Sequence, residues 1–235
     1  MYDICDLHSH ILPAMDDGCA TVEESAAVLQ KMLADGVEKV FSTPHYYARE
    51  SVEEFLLRRD QSLQQLLAHM KGEEMPQICC GAEVAWFPGI GNCPQIEKLC
   101  LGSSRYLLLE LPFTPWSALV VRDVNNLCLR GMIPILAHFE RYSSCQTKEA
   151  RQKLLQTDAL VQINAGSVLD FWQSFAVCDA FKKGSAHLLG SDCHGLNRRP
   201  ARLAEAVGRL EKKKLYGALA EMEALSNEIF REARI

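Results

Sequence analysis

The sequence Asp6-Leu7-His8-Ser9-His10 lies close to the start of the chain, and Asp16 and Asp17 follow it after a short interval. Successive side chains of an extended strand point to opposite faces, so His8 and His10 project from the same face. Two imidazoles placed in this way can bind one metal ion, and a carboxylate beyond the next turn can bind a neighbouring ion. A His-x-His pair alone is a weak indication, so the rest of the chain has to support it.

Seven apolar runs of strand length alternate with segments of helical periodicity. The predicted strands cover residues 2–7, 37–42, 77–80, 106–109, 133–136, 159–163 and 186–189. The predicted helices cover residues 22–35, 52–70, 117–130, 148–156 and 168–182, and two more follow residue 200. Between residues 86 and 104, Pro and Gly at intervals indicate an irregular segment with one short helix. Strands that alternate with helices indicate parallel βαβ units.

Residues of ligand type stand at the ends of these runs. They are His8, His10, His45, Glu83, Glu110, His138, Asn164, Asp192 and His194. Right-handed crossovers bring all C-terminal strand ends to one side, and the active sites of (β/α) barrels form on that rim. Periodicity alone does not distinguish a closed barrel from an open sheet, but a ring of ligands from every strand favours the closed barrel. The chain has no internal repeat or linker, so residues 1–235 are expected to form a single α/β domain. The other two histidines, His69 and His187, are assigned no role.

Composition limits the classes of function. The chain has 235 residues, 48% of them hydrophobic, and a net charge of −5 with the basic residues scattered. Lys212-Lys213-Lys214 is the one basic cluster in the sequence and reads as a solvated helix face, which argues against nucleic-acid binding. No apolar run approaches the roughly 20 residues of a membrane span, and no signal-peptide pattern opens the chain. We therefore expect a soluble, cytoplasmic protein, whose ten cysteines are mostly reduced, buried thiols.

Imidazoles and carboxylates without a positioned thiolate suit manganese, iron or zinc. Eight or nine ligands are too many for one ion, so a cluster of two or three ions is expected, with a carboxylate such as Glu83 bridging two of them. Paired ions about 3.5–4 Å apart hold a phosphate and acidify a bound water for in-line attack. Arg141 and Arg199 follow the ligands closely, and their planar guanidinium groups suit bidentate phosphate contacts. Surface salt bridging is the alternative role for both, and Arg198 or Arg202 could replace Arg199.

These residues carry a resemblance to a known family. The motifs are Asp6-Leu7-His8-Ser9-His10, Asp16-Asp17-Gly18, Thr43-Pro44-His45, Gly81-Ala82-Glu83, Ala137-His138-Phe139-Glu140-Arg141-Tyr142, Ile163-Asn164-Ala165-Gly166 and Ser191-Asp192-Cys193-His194. In this order, over residues 3–200, they resemble the PHP (polymerase and histidinol phosphatase) family. Within it the chain looks most similar to the bacterial manganese-dependent tyrosine-protein phosphatases of capsular and exopolysaccharide loci.

The resemblance implies a distorted (β/α)7 barrel with a trinuclear manganese site. Carried over by position, one ion takes His8, His10, Glu83 and Asp192, a second takes Glu83, Glu110 and His138, and a third takes Asp17, His45 and His194. Histidines replace Asp17 and Glu110 in other branches, so these two carboxylates fit the tyrosine-phosphatase branch. Arg141 and Arg199 match its phosphate-binding arginines, although Arg198-Arg199-Pro200-Ala201 departs from the usual Gly-Arg-Pro-Pro.

The implied reaction is hydrolysis of phosphotyrosine by a metal-bridging hydroxide, without a phosphoenzyme. The implied partner is a tyrosine autokinase whose Tyr-rich tail is the substrate. The sequence does not indicate an oligomeric state.

Three rival functions stay open at the level of sequence. A cysteine phosphatase is suggested by Cys-x5-Arg at Cys145–Arg151 and Cys193–Arg199, but neither stretch has a preceding histidine, and the second overlaps the expected metal ligands. A small-molecule phosphatase of the histidinol-phosphate type would keep the metal site and change the substrate. A module that binds a phosphorylated tail without hydrolysing it would hold metal but show no turnover.

Overall fold

The structure is a computed structural model and describes residues 2–234. Within that range the strands are β1 (Ile4–Ser9), β2 (Val37–Ser42), β3 (His45–Tyr46), β4 (Gln77–Cys80), β5 (Glu83–Ala85), β6 (Tyr106–Glu110), β7 (Ile133–Leu136), β8 (Leu160–Asn164) and β9 (Leu188–Gly190). The α-helices are α1 (Val22–Ala34), α2 (Val52–His69), α3 (Ala118–Leu129), α4 (Lys148–Leu154), α5 (Ala165–Leu169), α6 (Ser174–Lys182), α7 (Leu203–Lys212) and α8 (Tyr216–Ala233). Short 3-10 turns lie at Ile90–Asn92, Ile96–Leu99 and Phe139–Ser144.

The first two helices show how local sequence sets the helix ends. Thr21 caps α1, its hydroxyl accepting from the backbone N–H of Glu24. Ser51 and Glu54 form a reciprocal capping box at the start of α2, which satisfies backbone donors that the helix itself leaves free. The chain leaves α1 through Gly36, whose φ of +85° favours glycine.

All strand pairings between the described elements are parallel. One group runs in the order β1-β2-β4 and the other in the order β3-β5-β6-β7-β8-β9. The short strands β3 and β5 begin two residues beyond the ends of β2 and β4, after Thr43-Pro44 and Gly81-Ala82 respectively. At the far side, the backbone N–H of Asp192 donates to His8 O at 2.8 Å and that of His10 donates to Cys193 O at 2.9 Å. These bonds join the end of β9 to β1, so the parallel sheet is strongly curled.

Two apolar clusters lie on the two sides of this sheet. The larger one packs the helices against the outer face and includes Leu29, Phe55 and Leu127. The smaller one gathers side chains from β1, β2, β6, β7 and β9 with Ile229 and Phe230 of α8. Strands so far apart in the sheet can share one cluster only on its concave side. The C-terminal part of α8 therefore packs against the concave side of the sheet, with the ring of Phe230 set edge-on to that of Phe41 at 5.4 Å.

Most predicted elements are confirmed, with ends displaced by one or two residues. The α/β class with a parallel sheet is confirmed, as are the two C-terminal helices. The predicted helix 168–182 is wrong as a single element: Asp170 is extended and its carboxylate accepts from the backbone N–H groups of Trp172 and Gln173, so the chain breaks into α5 and α6. The irregular segment 86–104 contains two 3-10 turns rather than one short helix.

Candidate metal centre

All nine predicted ligands come together at the C-terminal edge of the sheet, and the carboxylate of Glu83 lies at their centre. Its Oε2 atom is 3.1 Å from His8 Nε2, 3.2 Å from His10 Nε2 and 3.1 Å from His45 Nδ1. Its Oε1 atom is 2.9 Å from His138 Nε2. Glu83 is fully buried, so one carboxylate faces four imidazoles away from water.

The remaining carboxylates surround this group. Glu110 Oε1 is 3.4 Å from His138 Nε2, and Asp192 Oδ1 is 3.6 Å from His10 Nε2. Asp17 Oδ1 lies 3.2 Å from His194 Nε2. The same Asp17 atom lies 3.7 Å from the Nε2 atom of His45. The outer ligands thus complete a continuous cluster from Glu110 on one side to Asp17 on the other.

Strand register accounts for this convergence. His45 in β3 pairs with Glu83 in β5, and Ala85 at the end of β5 pairs with Glu110 at the end of β6. His138 follows β7 and Asp192 follows β9, and both have positive φ, 33° and 53°. Left-handed backbone is uncommon for residues other than glycine, although Asp and His adopt it more often than most, and it is typical of functional sites.

A glycine lets the two outer strands meet. A Cβ atom at Gly190 would lie 2.6 Å from His8 Cβ, closer than side chains pack. Only glycine at the end of β9 allows that strand to lie against the first ligand.

Two residues outside the predicted set orient the first histidines. His8 Nδ1 donates to Gln162 Oε1 at 3.1 Å, and His10 Nδ1 donates to Asp16 Oδ2 at 2.7 Å, because both oxygens are acceptors. The hydrogen therefore resides on Nδ1 in each ring, and the Nε2 atoms are left as ligands. Gln162 could have been noticed as the polar residue inside the apolar run of β8, and Asp16 as the neighbour of Asp17.

The donor set fits bound metal ions. The Nε2 atoms of His8 and His10 lie 3.2 Å apart, and neutral rings in this tautomer would point two lone pairs at each other. Two atoms bound to one ion at about 2.1 Å lie about 3.0–3.4 Å apart. Buried Glu83 Oε2 and His194 Nε2 have no hydrogen-bond partner among the described residues. Three ligand triads are compact enough for an ion: His8-His10-Glu83, His10-His45-His194 and His45-Glu83-Glu110.

The carboxylates raise the pKa of neighbouring histidines in the pocket. Burial lowers the pKa of His10, but Asp16 and Glu83 outweigh it and raise that pKa to about 10. Burial is likewise outweighed at His138, where Glu110 and Glu83 raise the pKa to about 9. Burial and the charge of His10 lower the pKa of His194 to about 4. Protons and metal ions compete for these ligands, so low pH opposes metal binding.

The predicted arginines lie over the same pocket. Arg199 Nη1 is 2.9 Å and Arg141 Nη1 is 3.5 Å from Asp192 Oδ2, and both side chains remain partly exposed. Arg198 contacts Asp17 Oδ2 at 3.0 Å. Arg202 pairs with Glu205 on α7 and takes no part in the cluster. The geometry thus places Arg141 and Arg199 side by side, where both can reach an anion.

The case for a cysteine phosphatase loses support. Cys193 is buried, and burial raises the pKa of its thiol to about 12, so the thiolate is disfavoured. Its backbone belongs to the junction with β1, and its sulfur faces the carbonyl of Gly195. Cys145 Sγ faces the carbonyl of Tyr142, and the backbone N–H groups of Cys145, Gln146 and Arg151 already donate to carbonyls of the chain.

Two aromatic residues near the ligands were not predicted. The ring of Phe113 stacks on that of His138 at 5.9 Å, and the ring of Tyr47 stacks on that of His45 at 5.5 Å. Both follow strands that carry ligands, but an aromatic residue in a loop gives no signal that separates it from ordinary packing.

Comparisons with known proteins place the chain among relatives. The family model described as capsular polysaccharide synthesis, CpsB/CapC, matches residues 4–228. Tyrosine-protein phosphatase CpsB of Streptococcus pneumoniae is 27% identical over 225 residues, covering 91% of each chain. Tyrosine-protein phosphatase YwqE of Bacillus subtilis is 27% identical over 219 residues, covering 88% of this chain and 84% of YwqE.

A solved structure shares the fold. It comes from work on YwqE of Bacillus subtilis and CpsB of Streptococcus pneumoniae, described as unique metal-dependent tyrosine phosphatases. It matches with a TM-score of 0.80 and 23% identity, over 97% of this chain and 95% of the other. The family match spans nearly the whole chain and includes every residue of the candidate metal centre. This chain belongs to the CpsB/CapC family of capsular polysaccharide synthesis proteins.

Proposed function

We propose that this protein is a metal-dependent phosphotyrosine-protein phosphatase. The observation that carries the proposal is the cluster of eight imidazole and carboxylate groups around Glu83, with two partly exposed arginines over them. Such a pocket suits a dianionic phosphate bound between cations. The relatives are named tyrosine-protein phosphatases, which supports phosphotyrosine as the substrate.

The metal we propose is manganese, in two or three ions, although iron or zinc would also suit the ligands. His8, His10, Glu83 and Asp192 would hold one ion. Glu83, Glu110 and His138 would hold a second, and Asp17, His45 and His194 a third. Bound ions supply Lewis acidity at the phosphoryl group and acidify a bound water. The two additional carboxylates, Asp17 and Glu110, make the set rich in oxygen, which favours manganese.

The protein's own groups would bind and neutralise the phosphate. Arg141 and Arg199 donate hydrogen bonds to the equatorial oxygens, where charge develops as phosphorus is attacked. Asp192, which they now contact, holds them over the pocket. The phenolate leaving group has an ordinary pKa near 10, so it departs with less protonation than an alkoxide needs.

The barrel, the domain and the partner are also proposals. We propose that the curled sheet is a distorted (β/α)7 barrel, in which β2 with β3 and β4 with β5 each form one interrupted strand. Residues 1–235 would then act as one domain, in the cytoplasm, on a phosphorylated tyrosine autokinase tail. Support for the barrel comes from the backbone bonds between β9 and β1. None of the helices between residues 2 and 234 is both long and apolar enough to cross a membrane.

The deciding experiment combines metal analysis with turnover of a phosphotyrosine peptide on one sample purified without chelator. We expect two or three manganese equivalents, turnover that EDTA abolishes, and recovery when manganese is returned. The variants Cys145→Ser and Cys193→Ser should keep their activity. Turnover that survives exhaustive chelation would overturn the proposal in favour of a cysteine enzyme.

The same assay distinguishes a phosphotyrosine phosphatase from a small-molecule phosphatase and from a binding module. Histidinol phosphate hydrolysed in preference to the phosphopeptide would indicate a small-molecule phosphatase. Manganese bound without any hydrolysis would indicate a binding module.

A further inference from the structure

We propose that Phe113 and Tyr47 form an aromatic slot that receives the phenyl ring of the substrate and selects aryl over alkyl phosphates. The inference rests on the proposed phosphatase function of the same site. It assigns these two side chains as specificity-determining residues, separate from the groups that bind metal or phosphate.

Phe113 lies between a metal ligand and a phosphate-binding arginine. Its ring is nearly parallel to that of His138, with an interplanar angle of 22° at 5.9 Å. The guanidinium carbon of Arg141 lies 5.0 Å from the centre of the same ring. Phe113 nevertheless keeps 43% of its surface exposed, although phenylalanine side chains are most often buried. This open surface stands beside the position proposed for the phosphate.

The loop that carries Phe113 is fixed on both sides. The backbone N–H of Leu111 donates to the Tyr142 hydroxyl at 2.7 Å, and Trp116 Nε1 donates to the carbonyl of Pro112 at 2.9 Å. The Gln146 amide binds both Trp116 N and the carbonyl of Thr114. A loop held by these bonds is already ordered before a ligand arrives, so little of the loop has to become ordered on binding.

Tyr47 packs in the same way against another proposed ligand, His45. Its ring stacks on His45 at 5.5 Å with an interplanar angle of 29°, and the guanidinium carbon of Arg49 lies 5.0 Å from its centre. Tyr47 is 38% exposed. Two ligand imidazoles at the rim therefore each carry an exposed aromatic ring with an arginine against it.

The two rings flank the centre of the site. His45 contacts Glu83 through Oε2 and His138 contacts it through Oε1. Tyr47 follows β3 and Phe113 follows β6, and β5 with Glu83 lies between those strands. A phenyl ring attached to a phosphate over Glu83 would leave the pocket between two aromatic walls. Offset or edge-to-face contacts with such walls are available to an aryl group and not to a short alkyl chain.

Binding of two phosphonates to the manganese-loaded protein tests the inference without turnover. Benzylphosphonate carries the ring and ethylphosphonate does not, while both present the same phosphonate group. We expect Phe113→Ala and Tyr47→Ala each to weaken benzylphosphonate binding about three- to tenfold in calorimetry. Ethylphosphonate affinity should change by less than about twofold, since the site would lose only aromatic contacts. Phe113→Tyr should retain the preference, and Phe113→Leu, which keeps apolar volume, should lose most of it.

Phe171→Ala is the matched control, because Phe171 is an exposed phenylalanine whose ring contacts Trp172 and no proposed ligand. It should bind both phosphonates as the unmodified protein does. Equal weakening of both phosphonates by Phe113→Ala would overturn the inference, since Phe113 would then act through Arg141 or the fold. Failure of the proposed function looks different: without a metal site neither phosphonate would bind even to the unmodified protein, and a small-molecule phosphatase or a binding module is revealed by the phosphopeptide turnover assay, which these variants do not enter.

Discussion

Gln162 shows how a single buried amide can organise several ligands. Its Oε1 accepts from His8 Nδ1 and from the backbone N–H of His138, and its Nε2 donates to Asn164 Oδ1 at 2.9 Å. Asn164 Nδ2 in turn donates to Asp192 Oδ2 at 2.9 Å. This chain of amides fixes the orientation of ligands from three strand ends. A residue that binds no ion can therefore control the geometry of the metal site.

We expect Gln162→Met to weaken manganese binding about 10- to 100-fold, because the His8 ring and the His138 backbone lose their common acceptor. Competition with a fluorescent chelator measures the affinity, and circular dichroism of the metal-free protein checks the fold. Gln64→Met, at an exposed position on α2, should keep the original affinity. Unchanged affinity in Gln162→Met would show that packing alone orients His8.

The sequence predicted the roles of individual residues only where those residues stand at strand ends. His45, Glu83 and His138 each follow an apolar run, and the structure brings them together as predicted. Gln162 and Phe113 do not stand directly at a strand end. Only its polarity within the apolar run of β8 distinguishes Gln162, and Phe113 looks like an ordinary loop residue. Whether each predicted ligand binds metal stays a prediction, which manganese analysis of the purified protein addresses.

At the scale of elements, the loop after β6 depends on one hydroxyl. Tyr142 is fully buried, and its hydroxyl accepts from the backbone N–H of Leu111. Tyr142→Phe leaves that N–H without a partner, which costs about 1–3 kcal/mol when the group is buried. We expect this decrease in the free energy of unfolding, measured by urea denaturation. Tyr216→Phe, at an exposed tyrosine, should remain within about 0.5 kcal/mol of the unmodified protein. Equal stabilities for the two variants would contradict this role of the hydroxyl.

Element boundaries were predictable where periodicity and caps agree. The α1 and α2 predictions are confirmed because Thr21 and Ser51 cap apolar-periodic segments. The strands β3 and β5 were not predicted, since two or three residues are too few to show alternation. The break at Asp170 was missed because the apolar pattern continues through it, while its carboxylate bonds locally to the backbone.

At the scale of the molecule, the ring of ligands favoured closure of the sheet, but the sequence did not reveal the contacts that join its ends. Asp6 is buried in β1 and accepts hydrogen bonds from the backbone N–H and the hydroxyl of Ser191, beyond β9. These residues are nearly the whole chain apart in sequence, and no local pattern connects them. The position of Phe230 on the concave side of the sheet is likewise a consequence of global packing. Parallel topology explains why ligands gather on one edge, whereas the curvature that brings Asp192 to His8 is a property of the complete sheet.

Global stability should depend on pH through His187, which has no part in the metal centre. Burial lowers the pKa of His187, and the nearby charge of Glu221 only partly opposes this effect. The Nδ1 atom of His187 accepts a hydrogen bond from the backbone N–H of Val161 at 3.0 Å. In the unfolded chain His187 takes up a proton below its ordinary pKa of about 6.5, while in the folded chain it stays neutral to lower pH. Its contribution to stability is therefore complete above about pH 6.5 and is lost as the pH falls below that value.

His187→Asn removes the titration and keeps an acceptor in the place of Nδ1. Urea denaturation of metal-free protein at pH 7.5 and 5.5 should show a smaller loss of stability in this variant than in the unmodified protein. His69→Asn, at an exposed histidine, should show the unmodified loss. The comparison of His187→Asn with the unmodified protein and with His69→Asn therefore assigns the difference to His187. Equal losses in all three would show that protonated His187 is accommodated in the folded state, and the pairing of β8 with the start of β9 would then not depend on a neutral ring.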